Sequence, residues 1–169
     1  MYETVFRLEA RLFKALANSR RLEIMHLLRD QTLPVTDIYS MLDLPQANIS
    51  QHLMVLRQAG AVSTQRQGKQ VLYAVTDSRL IAVCDTLRTL VLEQHQDEPW
   101  AQGYRNTNNT AEPVHHDPVC GMRVTAHTAG AHNSYQGTTY YFCASGCYQQ
   151  FVEQPQSFLS NQYVNNNTT

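Results

Sequence analysis

The placement of three cysteines constrains the C-terminal part of this chain more than any other feature of its sequence. Cys120 stands in the block DPVCGM, and Cys143 and Cys147 stand in the block YYFCASGC. Three thiols brought together by a short hairpin and a turn are typical of a site for a soft metal ion. A segment of about 45 residues is too short for a large hydrophobic core, so a bound metal would stabilise it.

The composition is that of an ordinary soluble globular protein, with 169 residues, 43% of them apolar and 16% charged. There is no run of the roughly 20 apolar residues that a membrane span needs, and the amphipathic N-terminus does not resemble a signal peptide. These features predict the cytoplasm, where thiols stay reduced. The four cysteines are therefore expected to serve metal or redox chemistry rather than disulfides. No phosphate loop, paired-carboxylate motif or Ser-His-Asp pattern stands out, so we do not expect an enzyme.

A polar stretch divides the sequence into two domains. It reads QHQDEPWAQGYRNTNNTAEP and shows no apolar periodicity, which is typical of a linker. Residues 1–95 carry 11 Lys and Arg against 9 Asp and Glu, whereas residues 96–169 carry 2 against 5. Five of the seven histidines and three of the four cysteines lie from His95 onward. The sequence thus predicts a first domain over 1–95, a flexible linker over 96–113 and a second domain over 114–162.

The first domain contains a predicted helix with two different faces. The helix runs over Gln46–Gln58 and ends at Gly60. Ile49, Leu53 and Leu56 fall at helical spacing, so we expect them to be buried. Amide, hydroxyl and imidazole side chains occupy the other face and suit base edges and phosphates. These candidate DNA-binding residues are Gln46, Asn48, Ser50, Gln51 and His52.

A predicted β-hairpin follows this helix. Residues 61–75 alternate in polarity around Gln67-Gly68-Lys69, so the hairpin has a basic tip and forms a wing. The expected phosphate contacts are Arg57, Arg66 and Lys69. A last helix over Leu80–Leu92 carries an apolar stripe of Leu80, Val83, Cys84, Leu87, Leu90 and Val91.

The segments LFKALANSRRLEIMHLL, LPQANISQHLMVLRQAGAV and RQGKQVLYAV occur in this order. Over about residues 6–92 the chain thereby resembles the ArsR/SmtB family of small winged-helix repressors. The resemblance implies a homodimer formed by the first and last helices, and a palindromic double-stranded operator whose major groove receives the Gln46–Gln58 helix. It also implies that an inducer lowers the affinity for DNA. The helix before the reader helix lacks the family's cysteines, so the sensing residues are expected further along the chain. Cys84 is interpreted as a buried residue of the dimer interface.

Residues 113–160 resemble a YHS domain, which is related to TRASH-like metal-binding domains. The resemblance rests on DPVCGM, the YQG turn, YYFC and the C-x3-C spacing. It implies that Cys120, Cys143 and Cys147 bind a soft metal ion. Zn(II) usually takes four ligands, whereas Cu(I) or Ag(I) is satisfied by two or three soft ones. The fourth ligand stays open, with His132 or Met122 as leading candidates and Asp117, His127 and His115-His116 as others.

These observations predict an α+β protein, in which a winged helix-turn-helix domain precedes a small treble-clef-like YHS domain of a β-hairpin and a helix. The predicted function is a repressor that releases its operator when a soft metal binds, as expected for control of metal resistance or efflux genes. A redox or reactive-sulfur sensor using the same cysteines is the nearest alternative. A metal carrier whose helix-turn-helix serves only for dimerisation is another.

Overall fold

The computed structural model describes residues 2–104 and 113–159. They form two compact units, one built from most of the chain up to Val91 and one from Leu92 onward. The elements up to the end of the fifth helix are α1 (Tyr2–Leu16), α2 (Ser19–Leu27), β1 (Leu33–Pro34), α3 (Val35–Leu42), α4 (Gln46–Gln58), β2 (Val62–Gln67), β3 (Gln70–Val75) and α5 (Ser78–Gln94). They are followed by a 3-10 helix (Pro99–Tyr104), β4 (His115–His116), β5 (Arg123–Val124), β6 (Ala131–Tyr135), β7 (Thr138–Phe142), α6 (Ser145–Glu153) and α7 (Pro155–Leu159). Within these ranges no helix has both the length and the apolar character that a membrane crossing requires.

The core of the first unit lies between its helices. Asn18 caps α2, because its side-chain oxygen accepts the backbone N–H of Arg21 at 3.2 Å. The three apolar residues of α4 are completely buried, as their spacing predicted: Ile49, Leu53 and Leu56. Gly60 follows α4 with a φ of +80°, a left-handed conformation that glycine adopts without strain. The predicted reader helix therefore has the bounds and the buried face that the sequence indicated.

An ion pair connects α2 to α5 inside the first unit. The guanidinium of Arg29 donates to both carboxylate oxygens of Asp85, with one N···O distance of 2.6 Å. The same guanidinium lies 3.1 Å from Nδ1 of His26. Next to this pair, Cys84 is buried by its own chain, and burial raises the pKa of its thiol. The intrachain packing of α5 therefore already covers Cys84.

The predicted wing is present as an antiparallel hairpin of β2 and β3. Its register runs from Val62 opposite Val75 to Gln67 opposite Gln70, so Gly68 and Lys69 form a two-residue turn. Gly68 has a φ of +60°, which suits such a turn. The structure adds a third strand, because β1 pairs with β3. The residue pattern predicts no strand there, since two residues are too few to show alternation.

The second unit surrounds an aromatic core. Gln136 and Gly137 turn the hairpin of β6 and β7 with φ values of 50° and 80°, as a tight hairpin turn requires. Phe142 and Phe151 are almost completely buried, and their ring centroids lie 5.1 Å apart. Tyr148 and Phe158 are only partly buried at the edge of this core. The core therefore holds α6 against the hairpin that leads into Cys143.

Part of the predicted linker is ordered. The 3-10 helix buries Ala101 in the second unit, where 1% of the residue is exposed. His132 Nε2 lies 3.2 Å from the carbonyl oxygen of Trp100, and the hydroxyl of Tyr104 donates to the carbonyl of Gly130 at 3.3 Å. Residues 105–112 of this linker lie outside the described residues, and the linker bounds stay a prediction.

Candidate metal centre and candidate nucleic-acid interface

A tight backbone turn presents Cys120. The N–H of Asp117 donates to the carbonyl of Met122 at 2.9 Å, and the N–H of Gly121 donates to the carbonyl of Asp117 at 2.8 Å. Gly121 has a φ of +77°, so the turn requires a residue that tolerates the left-handed region. Pro118 adds a fixed φ inside the same turn. The block DPVCGM thus folds into a knuckle with Cys120 at its solvent-facing side.

Cys143 and Cys147 approach Cys120 from the hairpin and from α6. Cys143 directly follows β7, and Cys147 lies one helical turn later in α6. The Sγ atoms of Cys120 and Cys143 are 3.5 Å apart, and those of Cys143 and Cys147 are 3.6 Å apart. Cys143 and Cys147 are buried, whereas Cys120 is exposed. We call these three residues the thiol cluster. Solvent reaches it from the side of Cys120.

Asp117 is the fourth member of this site. Its carboxylate is only 1% exposed. One oxygen accepts the backbone N–H groups of Val119 at 2.8 Å and Cys120 at 3.4 Å, and the other accepts that of Cys143 at 2.7 Å. The potential ligand atoms of Asp117, Cys120, Cys143 and Cys147 all lie within 4.8 Å of one another. Among the His, Cys, Asp and Glu side chains of the described ranges, these four form the one group of three or more that is close enough to hold an ion.

Hydrogen bonds within the thiol cluster shift the pKa values of its members in opposite directions. Donation from the thiols of Cys143 and Cys147 lowers the pKa of Cys120 far below its usual range. The bond to Cys120 in turn raises the pKa of Cys143 and of Cys147, because each thiol donates its proton to the Cys120 sulfur. Burial, followed by the charge of Cys120, raises the pKa of the Asp117 carboxyl. The cluster is therefore one thiolate held by two thiols.

The donor set and its spacing fit a thiophilic ion. Tetrahedral zinc with Zn–S bonds of about 2.3 Å places its sulfurs about 3.8 Å apart, close to the 3.5 and 3.6 Å found between Sγ atoms here. Three sulfur donors also satisfy Cu(I) or Ag(I). A bound ion would replace the thiol protons and supply the positive charge that three neighbouring thiolates require.

The outer face of α4 forms the candidate nucleic-acid interface. Gln46, Asn48, Ser50 and Gln51 are exposed, and His52 is half-buried beside them. Burial lowers the pKa of His52, and the positive charges of Arg21 and Arg20 lower it further. His52 is therefore neutral at pH 7, with one ring nitrogen as a donor and the other as an acceptor.

Basic residues border this face. Arg66 and Lys69 are exposed at the tip of the wing, where the Nε of Arg66 donates to the carbonyl of Gly68 at 3.3 Å. Arg57 is exposed near the C-terminal end of α4 and lines a groove against Leu8 and Arg11 of α1. A polar helix face flanked by cationic side chains matches what the grooves and phosphates of double-stranded DNA present.

The sequence matches two family models. Residues 18–64 match bacterial regulatory proteins of the arsR family, and residues 115–162 match the YHS domain. The chain is 38% identical over 85 residues to the transcriptional activator HlyU of Vibrio cholerae, and the matched region covers 50% of this chain and 79% of HlyU. The chain belongs to the arsR family.

Solved structures agree with this assignment of the arsR-family domain. The crystal structure of Rv0081 from Mycobacterium tuberculosis is similar with a TM-score of 0.50 and 30% identity, covering 55% of this chain and 94% of that one. The NMR structure of the homodimeric winged helix-turn-helix DNA-binding domain Mb0332 from Mycobacterium bovis has a TM-score of 0.54 at 24% identity, covering 58% of this chain and 91% of that one. The winged helix-turn-helix fold is thus confirmed. The chain is a transcription regulator rather than an enzyme, and it carries a YHS domain.

The structure brings the three predicted cysteines of the YHS domain together, and it leaves His132, one of the two leading fourth-ligand candidates, outside this group. His132 is directed to Trp100 and packs its ring 4.9 Å from that of Tyr104. The backbone carbonyl of Met122 closes the knuckle. Asp117 is the residue that reaches the thiol cluster, although its sequence context made it only a secondary candidate.

On the arsR-family domain, sequence reasoning overlooked Arg20 and Arg21. They lie in the first turn of α2, and their charges act on His52 of α4. The block NSRR indicates this positive charge, because a capping residue followed closely by two arginines places both charges in the first turn of a helix.

Proposed function

We propose that this protein is a homodimeric repressor that releases operator DNA when the thiol cluster of its YHS domain binds a soft metal ion. The observation that carries the proposal is the position of the Cys143 sulfur, which lies 3.5 Å from that of Cys120 and 3.6 Å from that of Cys147, beside a buried carboxylate. Such a group is suited to capture Cu(I), Ag(I) or Zn(II). Its presence on the same chain as an arsR-family domain supports a link between metal and transcription.

The DNA-binding part of the proposal rests on the exposed face of α4 and on the wing. Gln46, Asn48, Ser50, Gln51 and His52 would read or clamp the major groove, and Arg57, Arg66 and Lys69 would contact phosphates. Arg20 and Arg21 extend the same basic border. A DNA-binding regulator works where the chromosome lies, so the proposal includes a cytoplasmic location.

The homodimer rests on apolar side chains that a single chain leaves in contact with water. On α5, Val83, Leu87 and Leu90 are about half exposed, and we call them the α5 stripe. On α1, Leu8 and Phe13 are exposed to a similar extent. Exposed apolar residues at helical spacing are typical of an interface. The similar Mb0332 domain is itself homodimeric, and a two-fold dimer reads a palindromic operator.

A short series of chain segments and hydrogen bonds connects the dimerisation helix to the thiol cluster. The end of α5 at Gln94 is followed by the 3-10 helix Pro99–Tyr104. That helix is fastened to the YHS hairpin through Trp100 and Tyr104, and the latter bonds Gly130. Gly130 in turn abuts the backbone of Cys143 so closely that a Cβ there would lie 2.6 Å from the Cys143 carbonyl oxygen. A metal acts only if it binds two conformations of the regulator with different affinity, and this path is where we place that coupling.

A second function is favoured by the pairing of the Cys120 thiolate with the Cys143 thiol at 3.5 Å. Hydrogen peroxide would oxidise this pair by two electrons to a disulfide, and it would take up the thiol proton and one proton from solvent to leave two water molecules. The same cysteines would then sense oxidants or reactive sulfur rather than a metal.

The test begins with selection of a binding duplex from a random pool. Release of that duplex is then titrated with Cu(I), Ag(I), Zn(II) and a persulfide donor under reducing and non-reducing conditions. Release by a metal in the presence of reductant supports the metal sensor. Release by the persulfide donor alone replaces it with the redox sensor. Absence of any salt-dependent duplex binding contradicts both and favours a metal carrier.

A further inference from the structure

We infer that Asp117 is a positioning residue, which holds the backbone of Cys120 and Cys143 in a metal-ready arrangement and is not itself a ligand. The inference rests on the proposed metal function. It concerns the one charged side chain that is buried in the described part of the chain. A buried carboxylate is costly unless hydrogen bonds satisfy it, so its partners indicate its task.

The partners of Asp117 are the backbones of two ligand segments. One oxygen accepts the N–H groups of Val119 and Cys120, and the other accepts the N–H of Cys143. Cys120 lies in the knuckle, and Cys143 directly follows the β6–β7 hairpin, 23 residues later in the chain. One carboxylate therefore fixes two segments that no described β-ladder pairs with each other. The resulting Sγ···Sγ separation of 3.5 Å is already suitable for a shared ion.

The same contacts argue against a ligand role. An ionised carboxylate offers about four lone-pair positions, and three backbone N–H groups occupy three of them. If the carboxylate donated its fourth lone pair to an ion, it would have to keep its three bonds to the N–H groups at the same time. Three thiolates suffice for a soft ion without that donation. Groups that orient metal ligands typically change metal affinity by about 10–100-fold when they are mutated.

The experiment uses the full-length protein loaded with Cd(II), which is a spectroscopic probe of thiolate coordination. Parent, Asp117→Asn and Asp117→Glu are compared by Cd–thiolate absorption, by the 113Cd chemical shift and by competition with a chelator. Glu153→Gln is the matched control, because it removes the same charge from an exposed position on α6. Near-UV circular dichroism of the aromatic core verifies that each loaded variant is folded.

The positioning role predicts that both Asp117 variants keep the parent's absorption and 113Cd shift, while their Cd(II) affinity falls about 10–100-fold. Glu153→Gln should match the parent in every measurement. Asp117→Glu is the decisive variant if Asp117→Asn does not fold. Glutamate keeps a carboxylate able to bind an ion, but its extra methylene displaces the oxygens from the three N–H groups. A ligand role predicts that this variant keeps its affinity.

Two results would overturn the inference while leaving the metal function intact. In the first, the 113Cd shift of Asp117→Asn moves away from that of the parent, which makes Asp117 a ligand. In the second, the affinities of both variants stay within about threefold of the parent's, which removes the positioning role. A parent protein without Cd–thiolate absorption would contradict the metal centre itself, and with it the role of Asp117.

Discussion

The α5 stripe provides a quantitative prediction about the dimer. Val83, Leu87 and Leu90 are 45%, 52% and 49% exposed in a single chain. Full burial of such a side chain contributes about 1.5–3 kcal/mol, so burial of the remaining half contributes about 1 kcal/mol each. Three residues in two copies give roughly 6 kcal/mol, at the lower end of the estimated association cost of about 4–15 kcal/mol. Burial of the α5 stripe alone therefore barely offsets the cost of association, and a stable dimer also needs burial of the apolar residues of α1. Loss of one member of the stripe should weaken the dimer strongly.

Leu87→Asp is the sharpest perturbation of this interface. It removes about 2 kcal/mol of apolar burial per dimer and places two unpaired carboxylates near the two-fold axis, at a cost of at least about 2 kcal/mol more. The dimer dissociation constant should rise about 1,000-fold, because every 1.4 kcal/mol changes it tenfold. Operator affinity should fall with it, since the half-sites are then bound one at a time.

Sedimentation velocity over a concentration series measures this effect directly. Thr89→Asp is the matched control, because it adds the same charge at an exposed position of α5 outside the stripe. We expect the control to sediment as a dimer and Leu87→Asp as a monomer with a native circular dichroism spectrum. A parent that is monomeric at micromolar concentration, or a Leu87→Asp protein that stays dimeric, would refute the assignment of this interface.

Two further predictions concern DNA and protons. Gln51→Ala should weaken operator binding by about 1–3 kcal/mol and relax specificity at one base pair, whereas Lys69→Ala should weaken binding to all duplexes alike and reduce the salt slope by about 1. Fluorescence anisotropy over a salt series distinguishes the two effects. Parent-like affinity of both variants would contradict the reader-helix and wing assignment. Because Cys120 is already a thiolate and Cys143 and Cys147 hold raised pKa values, binding one ion to all three sulfurs should release about two protons. The metal affinity should accordingly fall about 100-fold for each unit of decreasing pH near neutrality, and a pH-independent affinity in chelator competition would rule out this protonation state.

The parts of the fold that local patterns specify could be predicted from the sequence. The reader helix was predicted residue by residue, because Ile49, Leu53 and Leu56 repeat at helical spacing and Gly60 ends the segment. The wing and the YHS hairpin were predicted from local evidence as well, since each turn contains a glycine between two short strand segments. β1 was not predicted, because its pairing with β3 is a long-range contact of two residues.

The site was only partly predictable for a related reason. Cysteine spacing indicated the thiol cluster, since Cys143 and Cys147 are four residues apart and DPVCGM forms a knuckle. The contribution of Asp117 depends on a hydrogen bond to Cys143, 26 residues away, and no local pattern encodes such a crossing. Histidine and methionine were favoured as fourth ligands from their chemistry alone, whereas the fold directs His132 toward Trp100.

The measurement that tests the central claim most directly is metal-dependent release of the operator by cysteine variants. The parent, the double variant Cys143→Ser/Cys147→Ser and the control Cys84→Ser are titrated with Cu(I), Ag(I) and Zn(II) while bound to the selected duplex. All three proteins should bind the duplex equally without metal, because these cysteines lie outside α4 and the wing. The parent and the Cys84 control should release it at stoichiometric metal, and the double variant should retain it. If the double variant releases DNA as the parent does, the thiol cluster is not the sensor.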